Sequence, residues 1–229
     1  MEKITLETSK GSCPVFFSPG AELLLIQPAD TNELPLLERE AELIAERTET
    51  SFAFAAFPVA DWNAELSPWE APPVFGKTPF GSGAAETLAF IENEFIPACM
   101  KALGLPREAK TTVGGYSLAA LFALWCAYSS GRFCAAAAAS PSVWFPGWIE
   151  FINGRKPNAD FVYLSLGNRE KITKNPTMRR VEENLIRQSE LLASAGTPFR
   201  LEWNEGGHFS EPEMRTAKAF AACAAALAE

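Results

Sequence analysis

Hydrophobic residues follow two patterns along the chain, one typical of buried strands and one typical of amphipathic helices. Some runs are apolar almost throughout, as in residues 51–59, which is typical of a strand buried on both faces of a sheet. Other stretches place apolar residues at helical spacing, as at positions 36, 37, 43 and 44, which is typical of an amphipathic helix. Lys10-Gly11-Ser12 separates the first two runs and is typical of a hairpin.

These patterns predict a mostly parallel sheet of about eight strands covered by helices on both faces. From the third strand on, predicted helices alternate with predicted strands, an order that is characteristic of α/β proteins. We therefore predict a single α/β domain over residues 1–229, with a ligand site beyond the carboxyl ends of the strands. The predicted strands are residues 3–8, 13–17, 23–27, 51–59, 111–115, 133–139, 161–166 and 199–204, and the predicted helices are residues 36–47, 84–103, 118–128, 180–195 and 211–228.

The composition narrows the classes of function. The chain has 20 Lys plus Arg residues against 28 Asp plus Glu residues, a net charge of −8. We therefore expect neither a nucleic acid nor a membrane as partner. Five scattered cysteines form no C-x-x-C pair, and a single histidine cannot supply a histidine-rich metal shell. The cysteines and an N-terminus without an export signal predict a cytoplasmic protein, and we expect a monomer or a homodimer.

The uncharged stretch at residues 111–131 is long enough to resemble a membrane span. It begins with a β-branched run, passes through Gly114-Gly115 and ends at Ser129-Ser130-Gly131. A strand, a tight turn and a buried helix account for this order better than a membrane helix does.

A serine flanked by small residues follows the strand predicted at residues 111–115. The order strand, Gly115-Tyr116-Ser117-Leu118-Ala119, apolar helix is that of a sharp strand-to-helix turn, in which small residues leave room for a strained backbone. Such a turn raises the Ser117 hydroxyl above the sheet and points the Leu118 N–H, at a helix N-terminus, towards the same place. The alternative is a serine that only caps a buried helix.

A nucleophilic serine needs a base, and the base needs an acid to orient it. His208, the only histidine, follows the last predicted strand and is the candidate base. Glu170 follows the strand predicted at residues 161–166 and is the candidate acid, whereas Asp160 precedes that strand and would lie at the opposite edge of the sheet. The alternatives are an exposed loop histidine, a solvated charge at Glu170, and Glu205 as the acid.

The backbone donors of an oxyanion hole are expected at two places. The first is the N–H of Leu118, directly after the serine. The second should follow the third strand, where Pro28 has no N–H and Ala29 or Asp30 must therefore donate.

A long loop rich in proline and tryptophan, about residues 60–82, follows the fourth strand and should hang over the same edge of the sheet. Loops of this length in a compact domain are usually functional. One interpretation is that the loop and its neighbours build an acyl or alcohol pocket, and the other is that the tryptophans only pin the loop to the core. The pocket candidates are Asp61, Trp62, Trp69, Tyr116 and Trp144.

With these motifs the chain resembles the α/β-hydrolases, and more narrowly the esterase family related to esterase D and the enterochelin esterases. The resemblance implies an α/β-hydrolase fold and ester hydrolysis through Ser117 with His208 as base, and it supports Glu170 as the acid. The matching segments are Asp61-Trp62-Asn63, Ser67-Pro68-Trp69, Gly115-Tyr116-Ser117-Leu118-Ala119, Ser140-Pro141-Ser142-Val143-Trp144, Leu164-Ser165-Leu166-Gly167 with Glu170, and Gly206-Gly207-His208-Phe209.

The sequence therefore predicts a serine hydrolase that cleaves a small carboxylic ester or thioester and needs no metal or cofactor. Two alternatives stay open. An acyltransferase would use the same residues with an alcohol or thiol in place of water. A binding protein would keep the fold without turnover, because fold does not fix function.

Overall fold

The eight strands of the protein form one sheet within the part of the chain that the computed structural model describes, residues 1–106 and 108–228. They are β1 (Glu2–Thr8), β2 (Gly11–Phe17), β3 (Leu23–Ala29), β4 (Phe52–Pro58), β5 (Lys110–Tyr116), β6 (Ala135–Ala139), β7 (Phe161–Gly167) and β8 (Phe199–Asn204). Their order across the sheet is β1-β2-β4-β3-β5-β6-β7-β8. The pairs β1–β2 and β2–β4 are antiparallel, and every later pair is parallel. The prediction of a mostly parallel sheet of about eight strands is confirmed.

The central strands are apolar throughout because helices cover both faces of the sheet. All seven residues of β3 are buried, and so are all five alanines of β6. Alanine is a weak strand former, but its small side chain lets a helix lie close to the sheet. A Cβ atom built at Gly114 of β5 would lie 2.6 Å from the Phe220 ring and 2.8 Å from the Ala137 Cβ, which shows how little space is left there.

Helices lie on both sides of the sheet. They are α1 (Leu37–Ala45), α2 (Trp62–Glu65), α3 (Ala84–Phe90), α4 (Ile96–Leu103), α5 (Leu118–Ser129), α6 (Trp148–Ile152), α7 (Val181–Ser194) and α8 (Pro212–Ala228). Buried residues of α1 and α8 form one apolar core with one face of the sheet. Buried residues of α3 to α7 form the second core with the other face.

The structure differs from the sequence prediction in the helical regions. The helix predicted at residues 84–103 contains a wider π-helical segment, Ile91–Phe95, between α3 and α4. Pro97 follows this segment, and its ring and missing N–H disturb the regular hydrogen-bond ladder of the preceding turn. The short helices α2 and α6 lie in segments where the apolar pattern predicts no helix.

The uncharged stretch at residues 111–131 folds as β5, a tight turn and the buried helix α5, as predicted. Over the described residues, every helix is too short or too polar to span a bilayer. All five cysteines are free thiols.

Candidate active site

Ser117 occupies a strained turn between β5 and α5. Its backbone has φ 57° and ψ −115°, in the left-handed half of φ space that a residue with a side chain rarely adopts. Gly115 has φ 150°, and a Cβ atom there would lie 2.7 Å from the Ala119 Cβ. Small residues at positions 115 and 119 are therefore what allow the chain to turn this sharply and present the serine at the end of the strand.

Three residues that follow three different strands meet at this turn. His208 Nε2 lies 3.0 Å from Ser117 Oγ, and His208 Nδ1 lies 2.7 Å from Glu170 Oε2. The His208 side chain is 24% exposed and that of Glu170 only 3%, so the carboxylate lies beneath the imidazole and the imidazole faces the solvent side. This is the arrangement in which a carboxylate orients a histidine and the histidine accepts a proton from a serine.

The second oxygen of Glu170 accepts three further hydrogen bonds. The donors to Oε1 are the Gly167 N–H at 2.7 Å, the Ser140 hydroxyl at 2.8 Å and Arg215 Nη1 at 2.9 Å. Burial raises the pKa of Glu170, but the hydrogen bond and charge of His208 and the hydrogen bonds from Gly167 and Ser140 outweigh burial and hold this pKa below its ordinary value. These influences favour the ionised form of Glu170, and both of its oxygens have hydrogen-bond partners.

The other two candidate acids lie elsewhere. Asp160 is exposed and precedes β7, at the opposite edge of the sheet from Ser117. Glu205 reaches the site through its backbone, because its carbonyl accepts a hydrogen bond from Arg215 Nη2 at 2.8 Å.

Tyr116 contacts the histidine loop and also lines a small cavity that includes Gln27 and Glu213. Its hydroxyl donates to the His208 carbonyl at 2.6 Å, and the two rings are 5.1 Å apart between centroids. Burial is the largest influence on the pKa of Tyr116 and raises it, so the phenol keeps the proton that it donates. These contacts are those of a residue that supports the histidine loop.

A second hydroxyl lies beside the nucleophile. Ser142 Oγ is 3.2 Å from Ser117 Oγ, and the Ser142 N–H donates to the Ser117 carbonyl at 3.0 Å. Ser142 is 1% exposed and follows β6 at the same edge of the sheet. The sequence predicts no separate role for Ser142, which stands only within a segment that carries the family resemblance, although its position after a central strand was a signal for the site.

The backbone near the expected oxyanion donors is partly committed to other bonds. Leu118 is the first residue of α5. Its N–H is therefore one of the first-turn N–H groups that have no hydrogen-bond partner within the helix. The Asp30 N–H donates to a Glu33 carboxylate oxygen at 3.2 Å. Ala29 pairs with Pro58 in the parallel ladder of β3 and β4, and since Pro58 has no N–H, the Ala29 N–H bonds the β4 backbone there. Both candidate N–H groups after β3 are therefore engaged within the protein.

The structure anchors the tryptophans of the long loop on the core. Trp69 Nε1 donates to the Pro146 carbonyl at 2.8 Å, and its ring lies 5.3 Å from that of Phe151. Trp62 packs partly buried against the same core. Asp61 caps α2 by accepting from the Ala64 N–H at 2.9 Å, and it lines a surface groove together with Phe80. These contacts favour the interpretation that the loop is pinned to the core.

Trp144 is different from the loop tryptophans because it follows β6, close to Ser142. It is 7% exposed and its ring lies 6.1 Å from that of Phe75, which is itself half exposed.

Among the described residues, no three His, Cys, Asp or Glu side chains lie close enough together to hold a metal ion.

Two contributors to the site were missed by the sequence analysis. Ser140 has φ 46° and directs its hydroxyl to Glu170, and nothing in the local pattern distinguishes it from any serine that follows a strand. Arg215 offered a signal, because it lies one turn before the buried Ala219 on the apolar face of α8, where an arginine is rarely found.

The chain is similar to known proteins in its structure. No protein-family model matches the sequence, and no curated protein matches it. An IroE-like serine hydrolase from Shewanella oneidensis has a similar structure, with a TM-score of 0.77 at 14% identity over 96% of this chain and 79% of that one. The siderophore hydrolase EstA from Aspergillus nidulans gives a TM-score of 0.68 at 19% identity over 98% of this chain and 94% of that one.

A third similar structure is larger than this chain. It is the enterobactin esterase FES from Shigella flexneri, with a TM-score of 0.70 at 15% identity over 99% of this chain and 59% of that one. This chain therefore spans less than two thirds of the length of that esterase. At these identities the likeness is one of fold, shared with a serine hydrolase, a siderophore hydrolase and an enterobactin esterase. The eight-stranded sheet and these neighbours together show that the chain has the α/β-hydrolase fold.

Proposed function

We propose that the protein is a serine esterase that cleaves carboxylic esters or thioesters through an acyl-enzyme on Ser117. The observation that carries the proposal is the unbroken line of hydrogen bonds from Ser117 Oγ through His208 to Glu170, at 3.0 and 2.7 Å. A serine that only capped a helix would not need a histidine at its hydroxyl and a buried carboxylate behind that histidine. The similar structures, a siderophore hydrolase and an enterobactin esterase, support the same reaction class.

The proposed reaction has two halves. In the first, Ser117 Oγ attacks the ester carbonyl while His208 Nε2 takes the serine proton, and the N–H of Leu118 stabilises the oxyanion. His208 then gives the proton to the leaving alcohol or thiol, and the acyl group remains on Ser117. In the second half, His208 takes a proton from water, the resulting hydroxide attacks the acyl-enzyme, and His208 returns the proton to Ser117.

Glu170 acts on the histidine and not on the substrate. Its Oε2 accepts from the Nδ1–H, which leaves Nε2 unprotonated and facing the serine. When His208 takes the serine proton, the negative charge at 2.7 Å stabilises the imidazolium.

Turnover of p-nitrophenyl acetate by purified variants tests this function. We predict that Ser117→Ala and His208→Ala each lower kcat by about 10³-fold or more, because each removes a group that acts in the transition state. Ser189→Ala is the matched control, since this serine lies buried on α7 and its hydroxyl bonds only the local Ile186 carbonyl. Full activity in a folded Ser117→Ala or His208→Ala protein would contradict the proposal.

A further inference from the structure

We propose that Arg215 is a positioning residue of this active site, which holds Glu170 and the histidine loop in their working places with one guanidinium. The inference rests on the proposed esterase function and adds a residue to it. Arg215 lies on α8, which contributes no other hydrogen bond to Ser117, His208 or Glu170 among the described residues. Its side chain is only 2% exposed.

Four groups from four parts of the chain bind this guanidinium. Nη1 lies 2.9 Å from Glu170 Oε1 and 3.2 Å from both the Ser140 hydroxyl and the Tyr116 hydroxyl. Nη2 lies 2.8 Å from the Glu205 carbonyl. These partners follow or end β5, β6, β7 and β8, so Arg215 connects the strand ends that carry the three reacting and orienting residues.

The two carboxylate oxygens of Glu170 bond two different side chains. His208 bonds Oε2, while Arg215 bonds Oε1. His208 changes its charge during the reaction, whereas a guanidinium remains charged throughout. Arg215 therefore places a constant positive charge 2.9 Å from a carboxylate with 3% exposure, both before and after His208 takes the serine proton.

Arg215 also holds the loop that carries the histidine. The Tyr116 hydroxyl accepts from Arg215 and donates its own proton to the His208 carbonyl at 2.6 Å. The Glu205 carbonyl, three residues before the histidine, binds the other guanidinium nitrogen. The loop is thus tied on both sides of the glycine pair Gly206-Gly207.

The backbone leaves room for this arrangement at one glycine. A Cβ atom at Gly167 would lie 2.9 Å from Arg215 Nη1, 2.9 Å from Glu170 Oε1 and 2.5 Å from the Gly206 carbonyl oxygen. Any side chain at position 167 would separate the acid, the arginine and the histidine loop, so the absence of a side chain there serves the same contacts.

The test compares Arg215→Met and Arg215→Lys with the wild type and with Lys218→Met in ester hydrolysis. Lys218 is a matched control because it lies on the same helix and bonds the Asn204 side chain at 3.1 Å, away from Glu170. We expect Arg215→Met to lower kcat at least about tenfold with little change in KM, because substrate binding is not touched. We expect the control to change neither constant.

The pH profile separates positioning from mere structural support. The titratable and charged groups that face Glu170 are His208, Arg215 and, through Arg215, Tyr116. Without the guanidinium, Glu170 takes up a proton more readily, so the acid limb of the kcat profile of Arg215→Met should move to higher pH. Arg215→Lys keeps the charge but cannot span Tyr116 and Glu205 together, so it should lower kcat while leaving the acid limb in place.

The outcomes distinguish this inference from the proposed function. An active wild type whose folded Arg215→Met variant keeps its kcat and its acid limb overturns the role of Arg215 alone. If Arg215→Met does not fold, Arg215→Lys decides, and a wild-type kcat in that variant overturns the role. A folded wild type without esterase activity overturns the proposed function and this inference with it.

Discussion

The place of Glu170 in the chain was enough to predict which edge of the sheet its side chain occupies. Its position after a central strand favoured it over Asp160, since the carboxyl ends of parallel strands share one edge of the sheet. The structure puts its carboxylate 2.7 Å from His208 Nδ1 and gives its other oxygen three donors. Its role as the orienting acid is a prediction that a substitution can test.

We predict that Glu170→Gln lowers kcat by about 10²- to 10⁴-fold. The amide would put an NH₂ group, a donor, either against the His208 Nδ1–H or against the three donors that now bond Oε1, so the imidazole would turn or change tautomer. Steady-state hydrolysis of an aryl ester measures the effect, and Asp160→Asn is the control because Asp160 lies at the opposite edge. Equal activity of Glu170→Gln and the wild type would remove Glu170 from the mechanism.

The sequence predicted the site residues that directly follow strands. It did not predict the residue that reaches the site through the packing of a helix. Ser117, His208 and Glu170 each follow a strand that the apolar pattern locates, so topology alone brings them to one edge. Arg215 comes from a helix on one face of the sheet, and its contacts depend on how α8 packs against β5, β6 and β7. No local spacing encodes that packing, although an arginine on the apolar face of α8 was a visible anomaly.

At the scale of elements, the contact of α1 with β3 contains a buried acid. Glu40 of α1 is 5% exposed and accepts from the Gln27 side chain at 2.9 Å. Burial raises the pKa of Glu40 to about 8, against the smaller opposing influence of that hydrogen bond. Within the described residues, the other Glu40 oxygen has no hydrogen-bond partner, so nothing compensates a charge there.

This acid should make the stability of the fold depend on pH. A carboxyl whose pKa is raised in the folded state binds more protons when folded, so its contribution is fully present below about pH 4.5 and is lost as the pH rises through about 8. We predict that Glu40→Gln, which keeps the shape and cannot ionise, gains stability relative to the wild type between pH 5 and pH 9, roughly. Melting temperatures of both proteins across this range measure the difference.

The wild type and Glu40→Gln differ only at position 40, so the difference between their melting temperatures reports the effect of that carboxyl. Glu170 acts in the opposite direction, since its lowered pKa contributes stability that is lost as the pH falls, but it does so equally in both proteins. Glu33, whose burial raises its pKa to about 7, is present in both, and its charge is one of the influences that raise the pKa of Glu40. A difference in melting temperature that stays constant with pH would show that Glu40 is not protonated in the folded state near neutral pH.

The sequence predicted strands correctly where a single hydrophobic pattern ran through the whole segment. The strand at Phe199–Asn204 has the predicted bounds, and the bounds of the other strands differ from the prediction by no more than two residues at either end. It failed at the π-helical segment Ile91–Phe95, because a change in the hydrogen-bond ladder does not alter which residues are apolar. It also failed at α2 and α6, which are too short to show a helical period.

At the scale of the whole molecule, one edge of the sheet gathers the chemistry. The segments after β5, β6, β7 and β8 bring Ser117, Ser140, Ser142, Glu170 and His208 together, where β6 consists of buried alanines and β8, at the edge of the sheet, is partly exposed. A rigid, doubly covered sheet holds these loops in register, which the precise distances among Ser117, His208 and Glu170 require. The fold thus accounts for how residues far apart in sequence meet.

The central claim is that Ser117 is an activated nucleophile, and intact-mass analysis after treatment with a fluorophosphonate tests it most directly. An activated serine attacks the phosphorus, fluoride leaves, and one phosphonyl group stays on the protein. We predict a single adduct on the wild type, located by peptide mass at Ser117, and none on folded Ser117→Ala. An unlabelled wild type, or an adduct that persists in Ser117→Ala, would contradict the account.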